Sequence, residues 1–321
     1  MDKEDVLYLK NLLGKDFENG LDEFMRRYQK NPYLQKKNKL FSFFGNLIIK
    51  LFGLKTAFYA KVYLKDLKAM KKALREEKGE VQVQFPKKIA IIGIMTNKYV
   101  NYFPKHYESI KKYFLPNTEK HFYEFTDQLN FPYFKDKKDI TLIPTRHLPM
   151  PWTMLLTFHN MNRIVKKLKG YSHIIYFDVD TFLGAPVLEK NFFSFSEPLF
   201  AVRHHAYVNK MGEFDFSLKS TASVRREDDL STFWQAAFYG GKGEEMIKMI
   251  KEIKKRIDID IKNKIVARWV DESHLNKYLI DNKNKVHTLP PSYSYPSLKP
   301  IPKPFKKVLI HISKIKREWD K

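Results

Sequence analysis

Two aspartates one residue apart, Asp178 and Asp180, end the apolar run His173-Ile174-Ile175-Tyr176-Phe177. A second acidic pair, Asp271-Glu272, opens the polar string Trp269-Val270-Asp271-Glu272-Ser273-His274-Leu275-Asn276-Lys277-Tyr278. Side chains alternate along an extended backbone, so Asp178 and Asp180 project to one side of the strand's exit. Two hard oxygen ligands at that spacing hold Mn²⁺ or Mg²⁺ and leave coordination positions for a diphosphate, the handle of a nucleotide-activated substrate. A solvated turn has the same residues, and an Asp-x-Asp tripeptide alone does not separate the two readings. Its place favours the ligand, because open α/β sheets bind outside the carboxyl ends of their strands. Asp271 and Glu272 read by spacing alone as the acidic first turn of a helix, where the dipole stabilises negative charge.

The elements that must position these residues alternate in type. Ile89-Ala90-Ile91-Ile92-Gly93-Ile94 is a buried-strand run. After it the pattern predicts a helix near 106–114, strands at 121–125 and 140–143, a helix over 154–168 and the strand that enters Asp178. Beyond lie a strand at 199–203, an irregular segment over 207–229, and helices over 244–257 and 271–280. Such alternation implies an α/β domain with a mainly parallel, doubly wound sheet. Prolines 290, 291, 296, 300, 302 and 304 make the tail largely extended. Residues 1–80 read as helical from Val6, Leu9 and Leu13, then Leu21, Phe24 and Tyr28, and Gly79 and Pro86 mark a boundary. The expected domains are therefore a helical basic region over 1–85 and a nucleotide-sugar-binding domain over 86–321.

The chain has 321 residues, 43% of them apolar and 15% aromatic, a composition that buries a sizeable core. It has no cysteine, so metal must be held by oxygen or imidazole. Its 59 Lys+Arg against 36 Asp+Glu give a net charge of +23, which calls for an acidic partner. Ten lysines within residues 36–72, against the single acid Asp66, flank the Phe-rich stretch Leu40–Leu54. That stretch is shorter than the roughly 20 apolar residues a membrane span requires, and its pattern suits a peripheral contact with anionic lipid. The opening Met1-Asp2-Lys3-Glu4-Asp5 lacks the basic start of a secretory signal, so the expectation is a cytoplasmic protein on the inner membrane face.

The string Asp271-Glu272-Ser273-His274-Leu275-Asn276-Lys277-Tyr278 resembles the corresponding string of glycosyltransferase family 6, the family of the ABO blood-group transferases and the α1,3-galactosyltransferases. Asn97-Lys98-Tyr99-Val100, Tyr123-Glu124-Phe125-Thr126-Asp127, Asp178-Val179-Asp180 and Phe238-Tyr239-Gly240-Gly241 match in the same order. The resemblance implies a GT-A fold and a retaining transferase that moves galactose or N-acetylgalactosamine from a UDP donor to a galactoside in α1,3 linkage. Tyr99 would stack on uracil with Thr96 beside it. Asp178 and Asp180 would hold Mn²⁺ or Mg²⁺ on the diphosphate, with Val179 between them touching the donor. Many bacterial relatives have asparagines at these positions, so the aspartates here imply metal dependence.

By the same resemblance, Glu272 is the catalytic carboxylate and Asp271 binds donor-sugar hydroxyls. Gln235, Ala236 and Ala237 tell galactose from N-acetylgalactosamine, and Ala237 favours UDP-galactose. Trp269 and His204 would meet the acceptor, and Lys314 would fold over the diphosphate as part of a tail lid. Two departures stand out. The helix Trp152–His159 lacks the family's arginine, with Thr157 or His159 in its place, and Ser292-Tyr293-Ser294-Tyr295-Pro296 lacks the mammalian acidic acceptor residue. The expected acceptor is a galactose-terminated lipid-linked or lipopolysaccharide glycan. The alternative is a basic protein that binds glycan or nucleic acid through a degenerate transferase site, but no nucleic-acid motif is present and nucleic acid is not an expected partner.

Overall fold

The computed structural model describes residues 4, 7–9, 11, 88–301 and 306–312. The basic stretch 36–72, most of region 1–85 and Lys314 lie outside the described residues. The described chain builds a seven-stranded sheet from β1 (Lys88–Ile94), β2 (Glu119–Thr126), β3 (Ile140–Pro144), β4 (His173–Phe177), β6 (Leu199–Arg203), β7 (Trp234–Lys242) and β8 (Val286–Leu289). Its order is β3-β2-β1-β4-β7-β6-β8. The β3-β2-β1-β4 half is parallel throughout. β7 enters antiparallel between β4 and β6, and β8 is parallel to β6. A second sheet joins β5 (Thr181–Leu183), β10 (Leu309–His311) and β9 (Tyr295–Pro296).

β1 is buried on both faces, as its unbroken apolar run dictates. Ala90 and Ile92 face one core with Tyr123, Phe125 and Tyr176, while Ile89 and Ile91 face the other with Phe122, Ile175 and Phe177. Helix α1 (Phe103–Tyr113) covers the second face with Phe103, Tyr107 and Ile110, and starts with a proline in its first turn, where a missing N–H costs nothing. A long helix, Gly243–Lys262, covers the first face through Met246, Met249, Ile250, Ile253 and Ile257, a helical stripe in which each side chain contributes about 1.5–3 kcal/mol of burial.

The expected helix over 154–168 is instead three short pieces: α2 (Trp152–Leu155), α3 (Thr157–Arg163) and α4 (Val165–Leu168). At the first break the Thr157 hydroxyl donates to the Met154 carbonyl at 2.8 Å, a side-chain bond that competes with the helical ladder. The long helix becomes α5, and Val270–Asp281 becomes α6. β7 is a strand that sequence patterning does not single out, because Ala236, Ala237, Gly240 and Gly241 have weak strand preference. Its glycines are required by close approach: a Cβ on Gly241, at φ +157°, would lie 2.2 Å from the Pro198 carbonyl oxygen. Among the described residues no helix is long and apolar enough to cross a membrane.

Glu124 on β2 is fully buried, and among the described residues neither carboxylate oxygen has a hydrogen-bond partner. Gly93 on β1 makes room for it, since a Cβ there would meet Glu124 Oε2 at 2.3 Å. Burial raises the pKa of Glu124 well above the ordinary carboxylate value, so the folded protein holds it neutral. A raised folded-state pKa leaves stability intact below the unfolded pKa and erodes it as pH rises above that value. Glu124→Gln should therefore raise the thermal midpoint at pH 8 by a few degrees, about 2–4 °C per kcal/mol, with little change at pH 4.5. Melting curves of both proteins at the two pH values check this.

Candidate active site

Asp178 leaves β4 with its N–H donating to the Ala237 carbonyl at 2.8 Å. Its own carbonyl accepts from the Thr181 hydroxyl at 2.6 Å, which closes a tight turn over 178–181. His106 of α1, fully buried, fixes the far side of this turn through Nδ1 and the Thr181 carbonyl at 2.8 Å. Burial drives the pKa of this imidazole down to about 4, so it is neutral, and Nδ1 carries the proton because a carbonyl can only accept.

The small sheet then brings the tail to the turn. β10 pairs antiparallel with β5, placing His311 opposite Thr181, and the Ile312 N–H donates to the Asp180 carbonyl at 2.9 Å. His311 Nε2 lies 3.1 Å from Asp180 Oδ1. Ligand atoms of Asp178, Asp180 and His311 all fall within 4.8 Å of one another. Two carboxylates and an imidazole form a donor set suited to Mn²⁺ and related divalent cations. Gln235 lies beside the ring, 3.4 Å from Nδ1, and with its amide oxygen turned inward it would accept Nδ1–H and leave the Nε2 lone pair for a cation.

The second acidic pair is positioned by β7. Between Ala201 and Val202 of β6 the register jumps from Tyr239 to Gln235, so residues 236–238 bulge out of that ladder. The freed Ala236 N–H donates to Glu272 Oε2 at 3.0 Å. Buried Asn276, one turn further along α6, accepts from the Trp234 N–H at 2.8 Å and donates to the Trp234 carbonyl at 2.8 Å. The helix start is itself constrained: Val270 has φ +51°, a conformation costly for a β-branched residue, and Ser273 Oγ accepts the Trp269 N–H at 2.8 Å. Asp271 is buried, and its pKa is pushed up to about 8, first by that burial and then by the charges of Glu272 and Asp178.

These groups share one cavity of about 500 Å³, the size of a small-molecule site. Its walls include Thr96, Tyr99, Asp178, Val179, Asp180 and His311, together with Gln235, Ala236, Ala237, Asp271 and Glu272. Asn97 is held at φ +53°, and its N–H donates to Asp127 Oδ1 at 2.8 Å, which ties the loop carrying Tyr99 to the end of β2. Thr96 Oγ1 bonds His147 Nδ1 at 2.9 Å. Thr157 lines the cavity, whereas His159 points away to Asp258 at 2.7 Å. Of the two candidates for the missing arginine's place, the structure puts Thr157 in the site.

His204 and Trp269 lie outside this lining. His204 stacks on His205 with ring centroids 4.7 Å apart, and Trp269 packs on the core at the head of α6. His311 is the candidate metal ligand that sequence reading passed over. It stands in the tail string His311-Ile312-Ser313-Lys314, and only the β5–β10 pairing brings it to the aspartates.

A largely parallel sheet with an Asp-x-Asp turn at the carboxyl end of a central strand, facing an acidic helix start across one cavity, defines a GT-A-type glycosyltransferase. A family model described as Glycosyltransferase family 6 matches residues 80–320, and the chain belongs to that family. The chain is 28% identical over 211 residues to the O-antigen biosynthesis glycosyltransferase WbnI of Escherichia coli, covering 65% of this chain and 88% of that protein. It is 23% identical over 239 residues to globoside alpha-1,3-N-acetylgalactosaminyltransferase 1 of Mus musculus, covering 71% of this chain and 66% of that protein. The Homo sapiens protein of the same name is likewise 23% identical. The family resemblance read from the motifs is borne out.

Replacing His311 should weaken a bound cation without disturbing the aspartates. His311→Ala is expected to lower Mn²⁺ affinity by about 10–100-fold. Titration of free Mn²⁺ by electron paramagnetic resonance, with protein alone, measures this directly.

Proposed function

We propose that the protein is a retaining α1,3-galactosyltransferase that uses UDP-galactose and extends a galactose-terminated, lipid-linked or lipopolysaccharide glycan. The observation that carries the reading is the single cavity in which Asp178, Asp180 and His311 face Asp271 and Glu272, with Tyr99 and Thr96 at its edge. Tyr99 and Thr96 would take the uracil, and Asp178, Asp180 and His311 would hold Mn²⁺ or Mg²⁺ against the diphosphate. When bound, the cation neutralises charge that develops on the departing UDP. Relatives named for O-antigen assembly and for α1,3 transfer to globoside support the linkage and the acceptor class.

The chain's own residues have distinct tasks in this reading. Glu272, fixed by the Ala236 N–H, presents a carboxylate to the anomeric centre, as nucleophile or as partner of an oxocarbenium-like charge. Asp271, held neutral by burial, has a proton to donate to a hydroxyl of the donor sugar. The methyl of Ala237, a cavity-lining residue, would narrow the space for a 2-acetamido group and so favour galactose modestly. Lys314 would close over the diphosphate, and His204 and Trp269 would receive the acceptor at the cavity's outer side.

The deciding experiment incubates the protein with Mn²⁺, UDP-galactose or UDP-N-acetylgalactosamine, and fucosylated and plain galactosides, with the product anomer read by NMR. An α1,3-galactoside is expected, lost with EDTA and lowered about 10²–10³-fold in kcat by Glu272→Gln. Transfer of N-acetylgalactosamine in preference would reverse the donor assignment, and a β product would overturn retention.

We further propose that the basic region contacts the inner membrane face, on the strength of ten lysines around the Leu40–Leu54 stretch. Replacing Lys36, Lys37, Lys39, Lys50, Lys55 and Lys61 with glutamine should abolish sedimentation with anionic vesicles, each lysine contributing about 1 kcal/mol. Unchanged sedimentation would refute it.

A further inference from the structure

Among the described residues, the cavity has one wall residue that lies outside the family match. Tyr8 lines it, although the matched region begins at residue 80. Its hydroxyl lies 2.9 Å from Thr145 Oγ1, at the carboxyl end of the sheet just after β3. Thr145 donates its only proton to Asn160 Oδ1 at 3.2 Å, so the Tyr8 hydroxyl is the donor to Thr145. Arg163 closes the ring, donating to Asn160 Oδ1 at 3.2 Å and to the Pro144 carbonyl at 2.7 Å, with a long 3.5 Å contact to the Tyr8 oxygen.

The residue beside Tyr8 shows that this is docking and not a chance approach. Leu9 is completely buried and belongs to the same core as Phe125, Ile143 and Trp152. Glu4 pairs with Arg146 at 2.8 Å on the rim, a surface pair that contributes little energy but fixes the helical residues' orientation. Two polar links run from Tyr8's position to the rest of the cavity. Thr145 is two residues before His147, which bonds Thr96 on the nucleobase side. Asn160 is three residues, one helical turn, after Thr157, which lines the cavity with Asp271 on the sugar side.

We propose that Tyr8, supplied by a segment outside the family domain, is a donor-pocket residue. Its ring completes the wall between the nucleobase side and the sugar side, so that affinity for a UDP-sugar depends on the N-terminal segment. This inference rests on the donor assignment above. The basic region therefore does more than reach a membrane: its first residues are part of the catalytic unit, and a core made from 80–320 alone has an open donor site.

The test uses the full chain as wild type, Tyr8→Phe and Tyr8→Ala, with KM for UDP-galactose, kcat, Kd for UDP in the presence of Mn²⁺, and the melting temperature. Tyr8→Ala should raise KM and the UDP Kd about tenfold, the scale of losing one aromatic contact, with kcat within about twofold. Tyr8→Phe should restore most of the loss. As a second measurement independent of variants, UDP with Mn²⁺ should slow hydrogen exchange in the wild-type peptide that carries Tyr8. A melting-temperature loss with KM and Kd unchanged, or absence of protection in that peptide while UDP binds, overturns the inference and leaves the donor assignment standing. Wild-type protein that binds no UDP overturns the donor assignment and this inference together.

Discussion

The antiparallel entry of β7 into an otherwise parallel sheet, with three residues bulged at 236–238, is the constraint from which the site's geometry follows. A regular strand would spend the Ala236 N–H on β6, and Glu272 would lose the donor that fixes it. On its other edge Ala237 continues the β4–β7 ladder and its carbonyl receives the Asp178 N–H, so β7 registers both acidic pairs against each other. Asn276 locks the arrangement by bonding both backbone groups of Trp234 and then the Glu272 carbonyl. A buried amide satisfied on both sides rigidifies its surroundings, whereas its loss would strand several polar groups at once.

Electrostatics then explains why the cavity suits a cation. Four carboxyl groups, those of Asp178, Asp180, Asp271 and Glu272, line one space in a chain of net charge +23. Asp271 responds by holding its proton, pushed that way first by burial and then by the charges of Glu272 and Asp178. A divalent ion at Asp178, Asp180 and His311 would offset that repulsion and offer positive charge to an anionic ligand.

Much of this was legible in the sequence because it is local. Strand β6 has the bounds its apolar run gives, β4 ends at Phe177 and leads into Asp178 as expected, and Asp271-Glu272 does open a helix. What the sequence hid depends on partners distant along the chain. β7 reads poorly as a strand because its alanines and glycines are selected by close backbone approach, not by strand preference. The break at Leu156 arises from one threonine hydroxyl, which periodicity does not register. His311 and Tyr8 carry no spacing signal relative to Asp178, since strand pairing and core docking, not sequence, bring them there.

The β5–β10 ladder has a consequence for how the protein comes to exist. Its two strands lie at the middle and near the end of the described chain, and contacts of such separation are slow to form because a long loop must close first. A partly folded chain therefore has the Asp178-Val179-Asp180 turn without its imidazole. If Asp178, Asp180 and His311 hold a cation, the imidazole would join them only once the last strand docks, so full capture would await the finished fold.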